Sequence, residues 1–253
     1  MSVHDSATKG YAVGAETYVR GRPGYPPEAS EWLRDVVGLA PGRRVLDVGS
    51  GTGKFLPLLW ASGADLIALE PVAAMRRQLS QDNPDVEVLA GSADSIPLPD
   101  ASVDAVVCAQ AFHWFATKEA LAEMRRVLKP GGVLGLIWNV RDETVPWVAA
   151  LSDVTDALNA DTPRYRTGEW RRVFPTEGLR ELGERHAVNS HVGPADQVVV
   201  ARTLSVSFIA ALPQDQQQKA EQQVRDLIAR TPELQTPEVA FPYRTVMIAF
   251  AKT

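Results

Sequence analysis

Between Val45 and Gly53 the chain reads Val-Leu-Asp-Val-Gly-Ser-Gly-Thr-Gly, an apolar run entering three glycines at alternate positions. Glycine there lets the backbone turn tightly and lets its N–H groups approach a ligand with no Cβ in the way. Spacing excludes two nucleotide-binding loops. A dinucleotide fingerprint needs glycine at 54 and finds Lys54, and a P-loop needs glycine at 48 and Ser or Thr at 55 but finds Val48 and Phe55. Glu70 closes the apolar run Leu66 to Leu69, where a carboxylate can accept both hydrogen bonds from a ribose diol. His113, in Ala111-Phe112-His113-Trp114-Phe115, has an ordinary pKa close to neutrality. It can act as a general base on a hydroxyl or amine, or pack as a hydrogen-bonded structural histidine. Arg20, Arg22, Arg141, Arg164 and Arg166 are guanidinium groups of the kind that bind carboxylates in register.

The elements that must position these residues alternate along the chain. A helix over 26–39, with Trp32, Leu33, Val36 and Val37 at helical spacing, stops at Pro41-Gly42. Then follow a strand at 44–48, a helix at 55–61 closed by Gly63, a strand at 66–69 and a helix at 72–80. Strands at 86–90 and 103–109, a helix at 118–128 and a strand at 133–138 continue the series, with Lys129-Pro-Gly-Gly132 as the break before the last. Short apolar strands separated by helices predict a parallel sheet covered on both faces. Asn139 ends its strand on the pocket side, to touch substrate or cap the element. Beyond it a stretch rich in Arg, Pro and Trp runs to about Phe174, and residues 141–180 are expected to form a lid or substrate insertion. Helices are expected at about 195–212 and 214–230, and Tyr243 to Lys252 suits a strand.

The bulk properties narrow the function. With 253 residues, 45% hydrophobic and 23% charged, the chain is read as a single domain with a real core. A net charge of -5 gives no overall field for phosphate backbones, so nucleic acid is disfavoured as a substrate. The single cysteine, Cys108, lies in an apolar run and reads as a buried small hydrophobe. No histidine and carboxylate cluster has ligand spacing, so no metal is expected. The first ten residues are polar, and no apolar stretch is long enough to cross a bilayer, so the expected location is the cytoplasm. The expected assembly is a monomer or homodimer.

The segment Val45 to Gly53, with Asp47 ahead of its glycines, closely resembles the first motif of the class I S-adenosylmethionine-dependent methyltransferases, type 11 domain family. The resemblance runs from about Tyr11 to Asp142. It implies a Rossmann-like α/β fold with helices on both faces of a seven-stranded, mostly parallel sheet whose last strand is antiparallel. By the same resemblance Asp47, with Gly49, Ser50, Gly51 and Gly53, organises the methionine end of the cofactor, and Glu70 with Pro71 takes the ribose. Gly91-Ser-Ala-Asp94 resembles the segment that reads the adenine edge through an acidic residue and a backbone amide, here Asp94 and Ala93. Gln110, at the fourth strand's end, faces the methyl group. The string Ala111 to Phe115 and the arm Tyr11 to Pro27 resemble a branch that includes trans-aconitate methyltransferase-like enzymes. There, residues 1–25 would close over the cofactor, bringing Tyr18 and Arg22 to it. The implied activity is methyl transfer to a small-molecule carboxylate, hydroxyl or amine. A non-catalytic S-adenosylmethionine-binding protein and a methyltransferase acting on RNA or protein are the alternatives.

Overall fold

The computed structural model describes residues 22–159 and 161–253. Seven strands form one sheet: β1 Arg44–Val48, β2 Asp65–Leu69, β3 Glu87–Leu89, β4 Val103–Ala109, β5 Leu128–Arg141, β6 Leu179–Gly193 and β7 Val239–Lys252. Their order is β3-β2-β1-β4-β5-β7-β6. Strands β1 to β5 pair in parallel, and β7 runs antiparallel to both neighbours, β5 and β6. The order of strands reverses between β1 and β4, the place where an open α/β sheet leaves a crevice at its carboxyl edge.

Alternate side chains of each central strand enter different cores, which is why these strands are apolar throughout. Leu46, Ile67, Val106, Leu134 and Leu136 lie on one face with Leu121 and Met124 of α4 Lys118–Val127. Val45, Ala68, Val107 and Ile137 lie on the other, with residues of α1 Pro27–Asp35, α2 Leu56–Ala61 and α3 Ala73–Asp82, among them Trp32, Leu59 and Leu79. The Thr117 hydroxyl caps α4 by accepting from the Ala120 N–H at 3.1 Å. A third cluster builds a cap from α5 Pro146–Asp156, a wide-turn helix at Asp196–Ala201, α6 Gln214–Ala229 and the first half of β7, through Trp147, Leu151, Val199, Leu227 and Phe241. Among the described residues, no helix is long and apolar enough to cross a membrane.

Three local expectations change. The seventh strand, β6, was hidden because it is an edge strand whose residues are mostly exposed, leaving no apolar alternation to read. The Pro130–Gly132 segment lies inside β5: the register jumps from Val103 opposite Leu128 to Ala105 opposite Val133, so the extra residues bulge out of the ladder. The helix expected over 195–212 is broken into the wide-turn helix and two short turns, Arg202–Leu204 and Ser207–Ala210.

Candidate active site

Asp47 and the glycines stand where β1 delivers them, at the crevice. Gly49 and Gly51 have φ of +75° and +59°, a region other residues enter with strain. A Cβ on Gly49 would sit 2.9 Å from Cβ of Ala111, whereas one on Gly51 would meet nothing within 4 Å, consistent with a face open to a ligand. The turn is stitched to β2 by the Gly49 and Ser50 N–H groups on the Leu69 carbonyl, at 2.9 and 3.2 Å. It is also tied to Glu70, whose carboxylate accepts from Gly51 N–H at 2.9 Å and Val72 N–H at 2.7 Å. Burial pushes the Glu70 pKa up, and those two N–H groups oppose the rise.

Asp47 is 1% exposed, yet neither carboxylate oxygen has a hydrogen-bond partner among the described residues. The Ser50 hydroxyl donates instead to the Asp47 main-chain carbonyl, at 2.8 Å. Burial pushes the Asp47 pKa up to about 7, with the adjacent Ser50 hydroxyl opposing the rise and the nearby Glu70 charge adding to it. A buried acceptor pair without donors is a site for a cationic or multiply donating group.

Asp47, Gly49, Ser50 and Gly51 line a cavity roofed by Arg22, Pro23 and Tyr25. The roof is fixed by the Lys54 ammonium on the Arg22 carbonyl and by Tyr25 against Phe55, ring centroids 4.8 Å apart. A second cavity lies under the cap, lined by His113, Trp114, Arg141, Thr155, Tyr165 and Phe208 among others. Arg22, Gln110, Asn139 and Arg202 line both, so the two cavities meet at these four residues. Gln110 has φ of +59°, the strained backbone often found where a side chain must be aimed.

In the second cavity Arg164 and Arg166 are both paired with Asp156, and Arg166 also with Glu143 at 3.2 Å. Arg141 differs: it donates to the Thr155 hydroxyl at 3.3 Å and has no carboxylate bridge among the described residues. Burial, then the charge of Arg202, lowers its pKa to about 10, so it stays a cation at neutral pH.

Of the two readings of His113, general base or hydrogen-bonded structural histidine, the geometry fits the second. Its Nδ1 accepts from the Trp138 indole N–H at 3.2 Å, which leaves Nε2 carrying the proton in the neutral ring. Burial, and secondarily the Arg22 charge, lowers its pKa to about 3. At neutral pH the ring is therefore a poor base, and its remaining nitrogen is a donor.

Of the other expected cofactor residues, Tyr18 lies outside the described residues, as does Arg20. Gly53 closes the turn, its N–H on the Ser50 carbonyl at 2.9 Å. The Pro71 carbonyl accepts from Arg76 at 3.2 Å at the start of α3. Ala93 is buried in the core, and Asp94 accepts from the Ser92 hydroxyl at 2.6 Å in the loop after β3. None of Gly53, Glu70, Pro71, Ala93 and Asp94 lines either of the two cavities; Glu70 reaches the turn through its bond to Gly51 N–H. Sequence reasoning missed Lys54, Arg202 and Tyr243. Lys54 had a usable signal in following the last glycine. Arg202 and Tyr243 come from the cap and from β7, with no local pattern.

A family model for a methyltransferase domain matches residues 46–136. An uncharacterized methyltransferase of Mycobacterium bovis is 40% identical, over 96% of this chain and 95% of its own length. A methyltransferase-like protein of Schizosaccharomyces pombe is 35% identical over 96% of both chains. Among solved structures, the [4+2]-cyclase SpnF is similar in fold at a TM-score of 0.59 and 17% identity, covering 100% of this chain and 98% of its own. The chain belongs to the methyltransferase domain family and is a class I S-adenosylmethionine-dependent methyltransferase. Because one fold carries more than one chemistry, the acceptor has to be argued from the site.

Proposed function

We propose that the protein methylates a small, carboxylate-bearing molecule bound beneath the cap, with S-adenosylmethionine along the glycine turn. When bound, S-adenosylmethionine supplies a methyl group already activated on a sulfonium. The chain's residues fit the rest of that molecule. The Asp47 carboxylate, without a donor among the described residues, suits its ammonium group, and Glu70 retains lone pairs for its ribose hydroxyls. Arg22 and Lys54 bring positive charge to the same cavity, where a carboxylate is favoured.

The observation that carries the choice of acceptor is Arg141, a largely enclosed cation without a bridging carboxylate among the described residues, in a cavity where Arg164 and Arg166 are both neutralised by Asp156. Enclosing a guanidinium is costly unless an anion completes it, and a planar carboxylate matches its fork. A carboxylate is also a nucleophile already ionised at neutral pH, so it needs no base, in keeping with a His113 that cannot supply one. Catalysis is then chiefly alignment, with Trp114, Tyr165 and Phe208 walling the acceptor.

The test is a panel of small carboxylic acids, phenols and amines incubated with the protein and S-adenosylmethionine, with products read by mass. Methyl esters are expected. Arg141→Met should raise KM for the acid by about thirtyfold or more, the worth of about 2 kcal/mol for an enclosed charge pair, with cofactor affinity unchanged. Methylation of phenols or amines alone would overturn the proposal.

A further inference from the structure

The Gly24 carbonyl, on the solvent side of the segment that roofs the cofactor cavity, accepts two side-chain amides at once. Asn139 donates to it at 2.9 Å and Asn189 at 2.8 Å. The Asn189 amide spends its other hydrogen on Asn139 Oδ1 at 3.0 Å, and the Thr245 hydroxyl donates to that same oxygen at 2.6 Å. The three side chains come from β5, β6 and β7, and the register explains their meeting: Thr245 is opposite Asn139 on one side and Ala187, two residues before Asn189, on the other.

The orientation of both amides follows from these bonds. Turning Asn139 around would set its NH2 against that of Asn189. Turning Asn189 would lose the Ser190 N–H that donates to its oxygen at 2.8 Å. Thr245 is fully buried in the sheet and cannot move with the segment. The strand ends thus present a fixed pair of donors to one carbonyl. The bonds to Gly24 are themselves exposed, and water replaces such bonds at modest cost, so this attachment can release and remake while the sheet stays intact.

We propose that Asn139, Asn189 and Thr245 are positioning residues that latch residues 22–25 over the cofactor and set how long it stays bound. The proposal rests on the cofactor lying along the glycine turn. It also gives Asn139 a role distinct from touching substrate: the residue stands where both cavities meet, and its main-chain carbonyl accepts from Gln110 Nε2 at 3.4 Å, so the latch adjoins the junction.

The experiment preloads the intact protein with labelled S-adenosylmethionine, chases with unlabelled compound, and follows release by rapid filtration. Asn189→Ala and Thr245→Val should release the label roughly three- to tenfold faster, as expected for loss of one or two such hydrogen bonds. Association rates should stay at wild-type values while release quickens, a split that a general loss of fold stability would not give. Thr245→Ser, which keeps the hydroxyl, should keep the wild-type rate. Release from Asn189→Ala within about 1.5-fold of a wild type that does bind would overturn the latch. Failure of the wild type itself to bind would overturn the cofactor reading and the latch with it. If Thr245→Val does not fold, the exposed Asn189→Ala change still decides.

Discussion

Replacing Asp47 by asparagine should make the ligand-free protein more stable and the cofactor complex weaker. The free side chain loses its proton near pH 3.8, whereas in the fold burial holds that proton until about pH 7. A proton gripped about a thousandfold more tightly corresponds to about 4 kcal/mol. The sign follows from which state keeps the proton. Between pH 4 and 7 the folded chain retains a proton that the unfolded chain has released, so stability from this group is complete below pH 4 and is lost as pH rises through 7. At pH 8 the folded protein carries an enclosed charge without a donor among the described residues. The asparagine side chain carries no charge, and after relaxation around the carboxylate the variant should gain about 2 to 4 kcal/mol there, or about 5 to 15 °C in melting temperature. At pH 5, about one unit above the unfolded pKa, the gap should shrink to less than half its size at pH 8. Thermal unfolding of both ligand-free proteins at the two pH values is the assay, since other carboxylates cancel in the difference. S-adenosylmethionine titration should show affinity reduced at least tenfold in the variant. An equal gap at pH 5 and pH 8, or no gain at pH 8, would refute the desolvation argument.

Glu70→Ala should weaken S-adenosylmethionine binding by roughly tenfold or more, the worth of charged hydrogen bonds to a diol, and unchanged affinity in a folded variant would remove Glu70 from the site. With the His113 pKa at about 3, the ring is neutral across pH 5.5 to 8, so kcat should show no ionisation near 6.5; a limb there that vanishes in His113→Gln would restore the general base. Gly49→Ala, forcing a Cβ to 2.9 Å from Ala111 at φ +75°, should cost about 2 kcal/mol in chemical denaturation. Gly51→Ala, unobstructed but at φ +59°, should cost about 1 kcal/mol and act mainly on cofactor affinity measured by calorimetry.

What could be read along the chain was what depends on neighbours in sequence. Asp47, the glycines and Glu70 each sit where an apolar strand ends, so composition and spacing located both the strand and the residue it carries. Strand β6 escaped because its pairing is made through the main chain: of its fifteen residues only Leu179, Ala187 and Gly193 are buried, and backbone hydrogen bonds leave no mark on residue type. Arg202 and Tyr243 escaped for another reason. Each reaches the crevice only after the cap and β7 have folded back across the sheet, and their value to the site lies in that return. His113 was legible as a residue, but the choice between its two readings was not, because its state depends on Trp138 and on burial, neither of which its neighbours reveal.

Strand β7 has a mechanical consequence. Its first residues, Val239, Phe241 and Tyr243, belong to the cap cluster, and its later ones fill both faces of the sheet, Val246 and Ile248 on one and Met247 and Ala249 on the other. One unbroken beam therefore runs through three cores, clamped along its length by β6 and from Tyr243 onward by β5 as well. Swinging the cap as a rigid door would bend that beam and shear its ladders. Traffic into the cavity under the cap is expected to pass instead at the seams, where chain segments rest on the sheet edge without being woven into it.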